Sequence, residues 1–159
     1  MASRVGPVTR APAGTLIAIG AGAVVLGGLV AAVTGPFGWE HGSWAAAYLV
    51  LVVGVAQYAM GRMRPARPRP DRAGWVQVGA WNLGSLLVIG GTLLATPLLV
   101  DLGSGLLLLA LVLALRAAWP GRGARQGRSS VLVGQAYRAM LLLLAVSIPV
   151  GVLLAHLRR

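Results

Sequence analysis

The chain has 159 residues, 57% of them hydrophobic and 11% charged, with a mean hydropathy of +0.80. Soluble domains carry about 25% charged and about 45–50% apolar residues, so the composition excludes an ordinary soluble enzyme, a disordered chain and a coiled coil, and leaves a multi-pass membrane protein. The net charge of +11 comes from 14 basic residues, all arginine, set between apolar runs; that is a membrane pattern rather than a nucleic-acid surface, and zero cysteines exclude disulfides and thiolate chemistry.

A helix of about 20 apolar residues crosses the hydrocarbon core. Residues 1–13 read as a cytoplasmic tail bearing Arg4 and Arg10, and Gly14 to Thr34 as the first span. That run is longer than the about 7–15 residues of a secretory signal core, and no clear small-residue cleavage site follows it, so an uncleaved span is expected. Gly35-Pro36-Phe37-Gly38 then breaks the chain, and Ser43 to Gly61 is the second span. The segment from Arg62 to Arg72 contains Pro65, Pro68 and Pro70 and reads as extended and solvated. Trp75 to Val100 is a third, long span. Asp101 to Gly105 is expected to turn the chain into a fourth span, 102–119. A Gly- and Arg-rich connection follows, then a fifth span over 131–156. Kinks are expected at Pro97 and Pro149. The fold class is thus an all-α integral membrane bundle of five transmembrane helices, or four if the last segment does not cross.

Arginines gather in short cytoplasmic loops. Arg4 and Arg10, the run from Arg62 to Arg72, and Arg116, Arg122, Arg125 and Arg128 all fall on one side of a five-span chain. The N-terminus is therefore expected in the cytoplasm and the C-terminus outside, with only Arg158 and Arg159 dissenting. Trp39, Trp44, Trp75, Trp119 and Tyr58 fall at span ends, the usual aromatic-belt positions, whereas Trp81 lies deeper and its indole N–H needs a partner.

Three groups of polar residues stand out. Glu40, His41, Asp101 and His156 share the outer side and have the chemistry of a divalent-metal or proton-relay site. The plainer reading is that these are ordinary polar residues of turns, left outside as arginine is drawn in. Gln57, Gln77, Asn82, Gln135 and Arg138 lie at similar depth in the inner half of three spans. They read as interhelical hydrogen-bonding groups worth about 1 kcal/mol each, or else as a polar vestibule. Arg138 would cost about 2.5–3.5 kcal/mol at a helix centre and less if it snorkels. Arg62, Arg64, Arg67, Arg69 and Arg72 suit anionic lipid headgroups, at about 1 kcal/mol per charge near the surface, or act as topology determinants only. Glycine is the remaining signal. Gly20, Gly22, Gly27 and Gly28 in the first span, and Gly79, Gly84, Gly90 and Gly91 in the third, allow close helix approach, within the chain first and in a homo-oligomer second.

The stretches Trp81-Asn82-Leu83-Gly84 with Leu87-Val88-Ile89, and Tyr137-Arg138 followed by Ser147-Ile148-Pro149-Val150-Gly151, resemble small multi-pass actinobacterial membrane proteins of unknown function. The lysine-free, Ala/Gly/Leu/Val/Arg-rich composition agrees with a GC-rich bacterial source. A fainter resemblance, through His41 leading the second span, is to truncated relatives of haem–copper oxidase main subunits; it would imply haem, for which His41 and His156 are the only histidine ligands in the chain. No phosphate-binding loop, nucleophile elbow or HExxH motif occurs in the sequence. The expected function is a non-catalytic inner-membrane protein, an accessory or assembly subunit without a cofactor. A small transporter and a haem- or metal-binding membrane protein are the alternatives. The expected partners are the bilayer, its anionic headgroups, and a membrane protein or a second copy, with no nucleic acid.

Overall fold

A computed structural model describes residues 12–64, 71–118 and 128–157, with side chains left aside in 128–131 and 149–157. Among the described residues there are five helices and no strand: α1 (Pro12–Phe37), α2 (Gly42–Met63), α3 (Arg72–Leu93), α4 (Pro97–Ala118) and α5 (Arg128–Leu157). The first four are long and apolar enough to cross a membrane. In α5 the described apolar stretch is Leu132–Ile148, inside a helix of 30 residues, about 45 Å long. The chain is an all-α bundle of membrane-spanning helices.

α1 with α2 and α3 with α4 form two tight hairpins. The first turns at Gly38, whose φ of +59° is left-handed. Its N–H donates to Gly35 O and the Trp39 N–H to Thr34 O, both at 3.1 Å, closing the last turn of α1. The second hairpin turns at 94–96, earlier than the Asp101–Gly105 segment that the sequence suggests. Thr96 N–H donates to Gly91 O at 2.8 Å and Ala95 N–H to Thr92 O at 3.3 Å, the same terminating pattern. Here the left-handed position is held by Ala95, with φ +49°. Pro97 then opens α4, where its missing N–H costs nothing and its fixed φ is already helical. Asp101 consequently lies inside α4, and Gly103 packs against α3 instead of turning the chain.

Glycine lets the backbones of each hairpin touch. A Cβ added at Gly20 would stand 2.7 Å from Tyr58 N, and one at Gly61 2.8 Å from Ala13 O. Gly84 and Gly103 face one another across α3 and α4 in the same way. In contrast, Gly22, Gly28, Gly79 and Gly90 have no atom within 4 Å of such a Cβ and face outward. The centre of α2, Leu49–Ala56, is a π-helix. Such widened turns are rare and change which side chains share a face. Here Gly54 and Gly61 are turned to α1, while Tyr48 and Val52 face the rest of the bundle. The core is built on Leu16, Met60, Trp81, Leu111 and Leu141, all nearly or wholly inaccessible.

Candidate functional site

Two regions lie on either side of Trp81. Toward the arginine-bearing end is a polar cluster. The Arg64 guanidinium makes an ion pair with Asp71 across 2.8 Å, and its Nε donates to the same carboxylate oxygen at 2.9 Å. Their side chains are only 5% and 10% exposed, so the pair is largely out of water. The other Asp71 oxygen accepts from the Gly74 N–H at 3.0 Å, capping α3. Arg64 Nη1 donates to Gln77 Oε1, and Gln77 Nε2 donates to Met60 Sδ at 3.3 Å. Tyr137 of α5 stands within the field of the same guanidinium. Gln57 is fully buried nearby on α2, with neither amide atom partnered.

Gln77 thus joins the neighbouring helix through Arg64 and Met60. Arg138 is half-buried and its Nε has no partner. The structure does not bring Asn82 and Gln135 to this group. Asn82 Nδ2 donates to Val78 O of its own helix at 2.8 Å, and Gln135 is exposed on the outside of α5. Of the basic segment, Arg62 and Arg72 are exposed, Arg64 is turned inward, and Arg67 and Arg69 lie outside the described residues. At the opposite end Glu40 and His41 are exposed and Asp101 is half-buried in α4. The side chain of His156 lies outside the described set. Among the described residues no three His, Asp or Glu side chains gather in a metal-binding group.

On the other side of Trp81 is a cleft of about 370 Å³ between α2, α3, α4 and α5. That volume falls in the about 300–1,000 Å³ range of small-molecule sites. Its walls include Val52, Val88, Val100, Leu107, Leu144 and Ile148. Thr92 and Ser147 also line it, but their hydroxyls donate to Val88 O and Leu144 O of their own helices, at 2.8 and 3.0 Å. They therefore present mainly carbon to the space. Trp44 and Ser147 are exposed at its edge, and the Trp44 ring lies 5.4 Å from that of Tyr48. Trp81 is fully buried at the deep side, about 18 Å along α3 from its Leu93 end. The cleft therefore reaches about the middle of α3.

Two side chains with polar tips, Tyr48 and Trp81, line this space, and Trp81 Nε1 is covered and has no hydrogen-bond partner among the described residues. The Tyr48 and Ser85 hydroxyls lie against each other across the α2–α3 contact, close enough to share a hydrogen bond, and Ser85 is not among the residues that line the cleft. Sequence reading flags Trp81 by its depth, but nothing in the spacing of Tyr48 and Ser85 marks them as a pair. No family model, no curated protein and no solved structure matches this chain.

Proposed function

We propose that this chain is a non-catalytic, multi-pass protein of the bacterial plasma membrane, an accessory or assembly subunit that works by holding an apolar molecule of the bilayer. The observation that carries this reading is the cleft. It draws on four helices, its walls are mostly apolar, and it reaches the middle of α3. Val25, Leu26 and Leu29 are exposed on the outer side of α1, an apolar surface beside which a larger membrane assembly could pack. Protein purified from its native membrane in mild detergent should carry a lipid-class molecule at near-stoichiometric yield, read by mass spectrometry of the organic extract. Leu144→Trp, at a half-buried position, fills the cleft from α5 and should remove that molecule while the protein still folds. Equal recovery from both proteins would count against the reading.

The orientation we favour places the arginine-bearing end in the cytoplasm, with all five helices crossing. It is supported by Arg62 and Arg72, both exposed at that end and free to meet anionic headgroups, and by the length of α5. Reporter fusions at the two termini should then signal from opposite sides of the membrane. Two cytoplasmic signals would leave four crossings.

A further inference from the structure

Arg138 carries a charge that the chain's own acids do not neutralise. Those acids are Glu40, Asp71 and Asp101. Asp71 is engaged with Arg64, Glu40 and Asp101 lie at the opposite end of the bundle, and none of the three forms an ion pair with Arg138. Arg62, Arg72 and Arg116 are exposed, so water serves them, but Arg138 is half-buried. A partly covered charge is screened less than an exposed one and depends more on an anion beside it. Of its guanidinium only Nε is covered without a partner; the Nη edge stays accessible.

The neighbours of Arg138 place it along the bundle. Tyr137 stands within the field of Arg64, the residue that follows α2, and α5 touches the Gln57–Met63 part of α2. Residue 138 is therefore near the arginine-bearing end. Its side chain then runs outward. A Cβ added at Gly134 would lie 3.8 Å from Arg138 Nη2, so the guanidinium lies back over the preceding turn, toward the Arg128 end of α5. That is the snorkelling posture of an arginine at a membrane edge. Trp75 and Tyr58, exposed toward the same end, suit the interfacial layer. Gly134 has no side chain, and the added Cβ meets no other side chain among the described residues, so a notch is left beside the fork.

An arginine fork matches two oxygens of a phosphate. The exposed Arg62, Arg72 and Arg116 at this end repel the ammonium of a zwitterionic headgroup and favour a headgroup of net negative charge. We propose that Arg138 and the notch at Gly134 bind the phosphate of an anionic phospholipid, the guanidinium donating to its oxygens, at the end of the bundle remote from the apolar cleft.

The test titrates the full chain, in uncharged maltoside micelles, with dihexanoyl phosphatidylglycerol, dihexanoyl phosphatidylcholine and inorganic phosphate. The readout is the concentration giving half-maximal stabilisation against heat. The two lipids share their tails, so any occupancy of the cleft cancels between them. Phosphatidylglycerol should act at a concentration lower than phosphatidylcholine by a factor of about 5 or more, the effect of one charge on an anionic headgroup. Arg138→Gln should lower that ratio to about 2 or less, whereas Arg116→Gln, exposed in the last turn of α4, should leave most of it. Gly134→Leu fills the notch and should lower the ratio as far as Arg138→Gln does. Its stability without lipid should hold or rise, because leucine favours the helix over glycine. Equal action of the two lipids on wild type, or a ratio that Arg138→Gln lowers no more than Arg116→Gln, would overturn the site. A ratio kept in Gly134→Leu would overturn the place given to the phosphate. Inorganic phosphate acting as well as phosphatidylglycerol would make free phosphate the source and overturn the lipid assignment. The wild-type comparison and the glycine variant keep the proposal exposed even if Arg138→Gln does not fold.

Discussion

Asp71→Leu is expected to lower stability by about 3–5 kcal/mol, because it strands the Arg64 guanidinium in a site closed to water. Both side chains of the pair are almost wholly covered, and Arg64 spends one donor on Gln77 and its remaining fork on Asp71. Removing one partner leaves the desolvation cost of the other uncompensated, which is the expensive way to break a buried pair. Two companion variants separate the contributions. Asp71→Asn keeps an oxygen for the Gly74 N–H, so the helix cap, worth about 1 kcal/mol, is retained while the charge is lost. Asp71→Leu combined with Arg64→Met removes both charges and should recover most of the deficit, since apolar replacement of a buried pair is often neutral. Arg62→Ala, at an exposed position of the same basic end, should change stability by less than about 1 kcal/mol. The measurement is reversible unfolding in mixed micelles. A single variant within about 1 kcal/mol of wild type, or a double variant no better than the single, would show that the pair is solvated and unimportant to the fold.

That pair also marks where the sequence stops being legible. The spans themselves are readable because twenty or so uncharged residues have one common fate in a bilayer. Which side chains face each other is not, because a strongly apolar helix has no polar face to betray its rotation. Asn82 and Gln77 share depth with Gln57, yet Asn82 sits next to Trp81 on the helix, about 100° around, and bonds to its own backbone. Gln135 is turned outward by the same geometry. Arg64 and Asp71 are seven residues apart across a Pro- and Arg-rich segment, a separation that no helical spacing rule connects. Read as one of five similar loop arginines, Arg64 could not be singled out. The turn after α3 was hidden for another reason. Its left-handed residue is Ala95, whereas the glycines expected to turn the chain, Gly103 and Gly105, lie within α4, with Gly103 packed against α3. The cleft has no sequence signature at all, being defined by where side chains of four helices fail to meet.

Gly84→Val should destabilise the bundle severely, by at least the about 1–3 kcal/mol of a moderate overpacking change and more than any substitution at an outward glycine. The reason lies in what the new atoms would meet. A Cβ at Gly84 would come within 2.8 Å of Gly103 O, and the reverse approach is 2.6 Å. In each direction the obstacle is backbone, which no rotamer change can move aside. The two helices would have to separate along their length, opening the contacts of Leu107 and Val88 that complete the same seam. Lipid offers no hydrophobic gain for close helix contact, so the seam depends on packing itself, and a gap is not compensated by burial elsewhere. Gly103→Val should have the same effect from the other side. The two together should be non-additive, because the first change already separates the surfaces that the second would strain. Gly79→Ala is the matched control: the site is open, and alanine favours the helix over glycine by about 1 kcal/mol at most, so stability should hold or rise slightly. Unfolding midpoints of the four variants in one detergent decide the matter. Gly84→Val behaving like Gly79→Ala would mean that α3 and α4 do not meet along this line, and the cleft built on their separation would have to be redrawn with them.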